Sequence, residues 1–210
     1  MNFSNYMARQ FGNPEGFVGK LFMGPYLDYI NRKGNALVYD ALRFNPSSRM
    51  LEVGFGGGDL LFRVAQSLQD GSIDGVELSA AMLQRASKKS RKKNLESMIR
   101  FKSATVEDLP FDNAVFDCAY TVNTLYFWQD LPAGLNELAR VIRPEGELVL
   151  GFGSAKALRE SGYEDRGFRL YDADQITDTC EQCGFITDKL DKIERGRQGD
   201  FFAYRGIKSA

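Results

Sequence analysis

The run Met50-Leu51-Glu52-Val53-Gly54-Phe55-Gly56-Gly57-Gly58-Asp59-Leu60-Leu61 decides the fold of this chain. Its apolar start reads as a strand and its glycines as a tight turn. Leu60, Leu61, Val64, Ala65 and Leu68 then recur on one face of a helix. Glycine admits positive φ and lets the backbone come close to a ligand, and the first turn of a helix presents N–H groups that have no partner within it. Strand, glycine turn and helix in that order form a cradle for a carboxylate or phosphate. Glu52 lies inside the strand, where a carboxylate is costly unless it meets backbone amides or a cation.

A dinucleotide fingerprint G-x-G-x-x-G counted from Gly54 requires glycine at position 59, which is Asp59. A second apolar run, Ser72 to Val76, ends in Glu77. A carboxylate at the C-terminal end of a strand can accept from both hydroxyls of a ribose, in the crevice where parallel α/β sheets bind ligands. The glycine loop and Glu77 together point to an adenosyl ligand.

Strand-like runs at about 49–53, 72–77, 99–103, 115–120, 146–152, 185–192 and 200–207 alternate with helical ones, the pattern of a parallel α/β sheet. Leu131, Leu135, Leu138 and Ile142 give a helix near 131–143 one apolar stripe, and Ser79 is placed to cap the helix after the second strand. The last two strands flank Glu194-Arg195-Gly196-Arg197-Gln198-Gly199 and read as an antiparallel hairpin.

With 210 residues, 43% hydrophobic and 26% charged, the chain has the composition of one globular domain spanning 1–210. A net charge of −1 argues against a dedicated nucleic-acid binder. No apolar run approaches the ~18 residues of a membrane span, and the N-terminus lacks a signal-peptide profile, so a cytoplasmic protein is expected. Three cysteines indicate no disulfide framework.

The same residues resemble the class I S-adenosylmethionine-dependent methyltransferases, in the methyltransferase type 11 group that includes ubiquinone/menaquinone-biosynthesis enzymes. In that family the run E/D-x-G-x-G-x-G holds the amino acid end of the cofactor, matched here by Glu52, Gly54, Gly56 and Gly58, with Phe55 inside the run. The resemblance implies S-adenosyl-L-methionine as cofactor, Glu77 on its ribose, and Leu78 and Met82 flanking its adenine. After the third strand the group reads G-D-A-E-D-L-P-F, and this chain reads Ala104-Thr105-Val106-Glu107-Asp108-Leu109-Pro110-Phe111. Thr105 stands in place of the aspartate that contacts the adenine amino group, while the Val106 N–H can still serve, and Asn123 completes the implied cofactor residues. The implied fold is a Rossmann-like three-layer α/β/α sandwich. Its seven-stranded sheet is mostly parallel with an antiparallel final strand. A helical cap over 1–45 precedes the cofactor-binding core of 46–210.

Thr121 to Trp128 follows the fourth strand, where the resemblance places the transferred methyl group. Tyr126, Phe127 and Trp128 can shape a dry acceptor pocket, and core packing is the alternative for each ring. Phe17 and Phe22, in an aromatic-rich N-terminal segment, are further acceptor candidates, and the polar stretch Ser154 to Arg169 is a second candidate lid. Asn123-Thr124-Leu125-Tyr126 resembles the N-P-P-Y motif of amino-group methyltransferases without its prolines. The chain contains no histidine, no residue is assigned as a catalytic base, and no metal is expected. Cys180 and Cys183 read as packing residues, and the basic run Lys88 to Lys93 as a solvated helix end. Three functions stand: a methyltransferase acting on a small or lipid-like acceptor, a nicotinamide-dependent oxidoreductase, and a non-catalytic S-adenosylmethionine-binding protein. The oligomeric state is open.

Overall fold

A computed structural model describes residues 31–194 and 199–210. Phe17, Phe22 and the first 30 positions of the expected cap lie outside the described residues. The seven strands are β1 (Arg49–Val53), β2 (Ser72–Val76), β3 (Ile99–Lys102), β4 (Phe116–Val122), β5 (Ile142–Gly153), β6 (Phe185–Glu194) and β7 (Asp200–Lys208). They form one sheet in the order β3-β2-β1-β4-β5-β7-β6. β1 to β5 pair in parallel, and β7 runs antiparallel to both β5 and β6. The reversed final strand and the terminal hairpin are as the sequence predicts.

The helices are α1 (31–41), α2 (Asp59–Ala65), α3 (Ala80–Lys92), α4 (Leu131–Val141), α5 (Ala155–Glu160) and α6 (Ala173–Gln182). Successive residues of a strand point to opposite faces, so the inner strands are apolar on both sides and need a helical layer on each. Met50, Ile73, Tyr120 and Val149 face a core completed by Val38 of α1, Leu61 and Val64 of α2, and Met82 and Ala86 of α3. Leu51, Ala119, Leu148 and Leu150 face the other core, completed by Leu135 and Leu138 of α4 and Ile176 and Cys180 of α6. The result is the three-layer α/β/α sandwich. No helix among the described residues is long and apolar enough to cross a membrane.

The end of the helix before the fifth strand differs from the sequence reading. Helix α4 ends at Val141 because Pro144 disfavours helical backbone at Arg143. Ile142 then pairs with Phe116, and the next pair is Cys118 with Glu147, so Arg143 to Gly146 loop out of the ladder. The basic run belongs mainly to α3, whose last turn carries Lys89, Arg91 and Lys92 where cations suit the helix dipole. Inside β2, Asp74 is only 1% exposed and is tolerated there because Arg100 on β3 grips both its oxygens, at 3.1 and 2.9 Å.

Gly75 in β2 leaves room for the residues of the first turn, since a Cβ there would stand 2.7 Å from Leu61 Cδ1 and 2.9 Å from Phe55 Cδ1. Gly75→Val should overpack this seam and cost about 1–3 kcal/mol. Urea unfolding should show a lower midpoint with an unchanged slope.

Candidate functional site

A cavity of about 410 Å³ opens at the C-terminal ends of β1, β2 and β4, between the turn that leaves β1 and the segments that leave β2 and β4. Gly54 begins that turn with φ 70°, its N–H donating to the Val76 carbonyl at 2.7 Å. A Cβ at Gly54 would lie 2.4 Å from Thr124 Cγ2, so both the conformation and the space require glycine. Gly56 and Gly57 line the cavity. Gly58, at φ 80°, instead turns the chain into α2 and is not among the lining residues. Phe55 lines the cavity while its ring lies in the core, edge-on to Phe101 at 5.4 Å.

Glu77, just past β2, joins the two loops. Its Oε2 accepts the Gly56 N–H at 3.0 Å and its Oε1 accepts the Ser79 N–H at 2.9 Å. Burial pushes the Glu77 carboxyl above the usual carboxylate range, and the N–H groups of Ser79, Gly56 and Leu78 oppose that rise. Each carboxylate oxygen has a second acceptor site beyond the backbone bond it already holds. Ser79 occupies the N-cap position of α3 as the sequence predicts but makes no side-chain cap bond; its backbone N–H instead donates to Glu77.

Leu78, Thr105 and Val106 line the adjoining wall, Leu78 being 58% exposed. Met82 does not join them. It faces the core on the stripe Met82, Ala86, Ser90 of α3, one turn beyond the cavity and pointing toward the sheet. Glu52 also lines the cavity while almost fully buried, with the Tyr120 hydroxyl of neighbouring β4 beside its carboxylate.

Asn123 adopts the left-handed conformation, φ 57°, at the end of β4. Its Nδ2 donates to Asn31 Oδ1 at 2.8 Å, and its Oδ1 accepts the Tyr126 hydroxyl at 3.3 Å. The Tyr126 oxygen in turn accepts the Gly153 N–H at 2.5 Å. Tyr126, Phe127 and Trp128 all line the cavity, together with Tyr163 and Phe168 from the polar stretch after β5. Phe168 stands 4.8 Å from Phe127 and 4.9 Å from Tyr163, centroid to centroid, so that stretch forms one aromatic wall with the segment after β4. Trp128 is seated against α4 at Gly134, where a Cβ would meet its Cε3 at 2.7 Å.

Several lining residues escaped the sequence reading. Asn31 and Asn35 stand one helical turn apart on α1, and Asn35 Nδ2 donates to Asp59 Oδ2 at 3.4 Å. Polar residues four apart on an otherwise apolar helix face were the available signal. Thr124 was passed over because only its tertiary contacts give it a role. Cys180 lies in the core, and Cys183 is partly buried with its thiol against the Pro132 carbonyl.

Residues 51–150 match the family model described as a methyltransferase domain. A 2-phytyl-1,4-naphtoquinone methyltransferase of Trichormus variabilis is 28% identical over 162 residues, 73% of this chain and 69% of that protein. A 27-O-demethylrifamycin SV methyltransferase of Amycolatopsis mediterranei is 29% identical over 110 residues, 52% of this chain and 40% of that protein. The chain thus spans less than half of the second relative's length. Among solved structures, a SAM-dependent methyltransferase from Aquifex aeolicus shares the fold, with a TM-score of 0.75 at 16% identity over 89% of this chain and 97% of that one. The nicotinamide alternative falls with these matches, as the aspartate at position 59 had suggested. Sequence motif, sheet order and family match agree on a methyltransferase domain over residues 51–150, and the chain is similar in sequence and fold to S-adenosylmethionine-dependent methyltransferases.

Proposed function

We propose that this chain methylates a small, apolar, ring-containing acceptor, with the cofactor held in the cavity at the ends of β1, β2 and β4. The observation that carries this reading is the Glu77 carboxylate, fixed by the Gly56 and Ser79 N–H groups at the cavity lip with acceptor sites to spare. The chain's residues fit the cofactor. A glycine turn with no room for a side chain admits the methionyl end beside Glu52, Gly54 and Gly56, and Glu77 takes the ribose hydroxyls. Leu78 and the Thr105 to Val106 segment border the adenine, and the Val106 N–H replaces the missing aspartate contact. Gly58 serves this site through the backbone turn into α2, and Met82 has no direct part in it.

When bound, S-adenosylmethionine supplies a methyl group on a sulfonium, open to in-line displacement. The work left to the protein is alignment and exclusion of water, and good alignment contributes on the order of 7–11 kcal/mol. The wall of Tyr126, Phe127, Tyr163 and Phe168 suits that work, being aromatic with hydroxyls at two positions. An acceptor that arrives as a phenolate, thiolate or amine needs no base, in keeping with a chain that has no histidine. The naphthoquinone and rifamycin in the relatives' names support a ring-containing acceptor.

Calorimetry should show S-adenosylhomocysteine binding and no binding of NAD. Glu77→Ala removes two charge-assisted bonds of about 1.5–3 kcal/mol each, so affinity should fall by roughly tenfold or more in a variant with an unchanged circular dichroism spectrum. An unchanged dissociation constant would remove Glu77 from the ribose site. The affinity should also depend on pH. Because the Glu77 pKa is raised, the carboxylate gains a proton, and loses acceptor capacity, at a pH above the ordinary carboxylate range. Affinity should therefore fall as pH is lowered through that window, and Glu77→Gln should flatten the profile there. Phe127 is 40% exposed, so its truncation costs little stability and gives a clean probe of the acceptor wall. In a panel of labelled-methyl transfers to phenols, quinols, thiols and amines, Phe127→Ala should raise the acceptor KM while changing cofactor affinity by less than roughly threefold. No turnover on any acceptor, with intact cofactor binding, would favour the non-catalytic alternative.

A further inference from the structure

Between the glycine turn and the aromatic wall runs a short chain of hydroxyls. Trp128 Nε1 donates to Thr124 Oγ1 at 3.2 Å, Thr124 and Thr121 share a close hydroxyl contact, and Thr121 Oγ1 donates to the Val53 carbonyl at 2.7 Å. The polarity is determined. An indole N–H only donates, and the single Thr121 proton is committed to Val53, so Thr124 must accept from Trp128 and donate to Thr121. Each hydroxyl has one proton in and one proton out. Bonds in such a sequence polarise one another, and breaking one in a buried setting leaves neighbouring groups unsatisfied. Thr121 is 1% and Trp128 4% exposed, so the two ends of the sequence are shielded from water, while the half-buried Thr124 borders the cavity.

The other branch of Thr124 faces the opposite way. Its methyl group occupies the space that a side chain at Gly54 would take, 2.4 Å from the position of a Cβ there. One side chain thus touches the turn that leaves β1 and, through its hydroxyl, sets the indole at the far side of the cavity.

We propose that Thr124 is a positioning residue for methyl transfer, holding the Gly54 turn with its methyl group and the Trp128 indole with its hydroxyl. The cofactor side of this proposal rests on the reading that the Gly54 turn holds S-adenosylmethionine. Two near-isosteric changes divide the side chain: Thr124→Val keeps the methyl and removes the hydroxyl, and Thr124→Ser does the reverse.

Trp128 is the only tryptophan, so a single indole resonance in the ¹H–¹⁵N spectrum reports on the hydroxyl half without assignment. In the wild-type protein that N–H should be slow to exchange. Thr124→Val should shift the resonance and speed its exchange by roughly tenfold, the equivalent of about 1.4 kcal/mol, whereas Thr124→Ser should leave both close to wild type. Both variants should weaken S-adenosylhomocysteine binding by roughly threefold or more in calorimetry, Ser through a loosened turn and Val through the lost relay. A rapidly exchanging wild-type indole N–H would overturn the proposal without any variant, including the case in which Thr124→Val fails to fold. So would a Thr124→Val protein whose indole resonance is unchanged, or a Thr124→Ser protein that displaces it equally. Wild-type protein that binds S-adenosylhomocysteine, with both variants binding it equally well, would sink this proposal alone. Wild-type protein that does not bind it would sink the methyltransferase reading together with the cofactor half of this one.

Discussion

The turn at Gly54 is where the backbone of β1 must leave the sheet without a side chain in the way. Parallel pairing of β1 with β4 brings Val53 opposite Thr121, and Thr124, three residues further on, closes over the glycine. With the turn held there, the Gly56 N–H faces Glu77 across from the end of β2. Glu77 then fixes the start of α3 through the Ser79 N–H. A carboxylate at that point carries a cost, since its burial raises its pKa, and three backbone donors only partly offset it. A charged group kept in such surroundings is better explained by a ligand that needs an acceptor than by the stability of the fold alone.

Polar groups elsewhere in the interior place the parts that border the cavity. Arg205 in β7 is 4% exposed, with its Nη1 on the Ala41 carbonyl at 2.9 Å and its Nε on Asp188 at 2.7 Å. A cation at the last turn of α1 satisfies an orphan carbonyl and suits the helix dipole. It anchors the C-terminal end of the helix that presents Asn31 and Asn35 to the cavity. Gly34 lets that helix lie close against the sheet, because a Cβ there would meet Phe201 at 2.7 Å. Asp74 with Arg100 plays a comparable part between β2 and β3.

Much of this molecule was legible because its information is local. A strand, a glycine turn and a helix are neighbours in the chain, so Glu52, Gly54 and Gly56 could be assigned to one wall from the run 50–61 alone. Glu77 was legible for the same reason, as the residue that ends a recognisable strand. The errors arose where direction mattered. Met82 lies in a segment correctly read as a helix, yet its direction about the helix axis, set by how the helix settles on the sheet, turns it to the core. Ser79 was correctly placed at an N-cap, but its side chain makes no cap bond, and its backbone N–H is held by Glu77 at the preceding strand end. Arg143 read as helical because the apolar stripe reached Ile142, and the proline that ended the helix acts one residue ahead of itself.

By itself the sequence determined the order of strands and helices, the position of the glycine turn, the two carboxylates beside it and the family to which they point, because periodicity and turn chemistry are properties of adjacent residues. Only the tertiary structure decided which side chains share the cavity. Asn31 meets Asn123 across 92 positions of chain, and Thr121 meets Val53 across 68. Such contacts depend on strand order and on the angle at which helices settle on the sheet, which arise from packing the whole core at once. They therefore leave no periodic trace in the residues that make them.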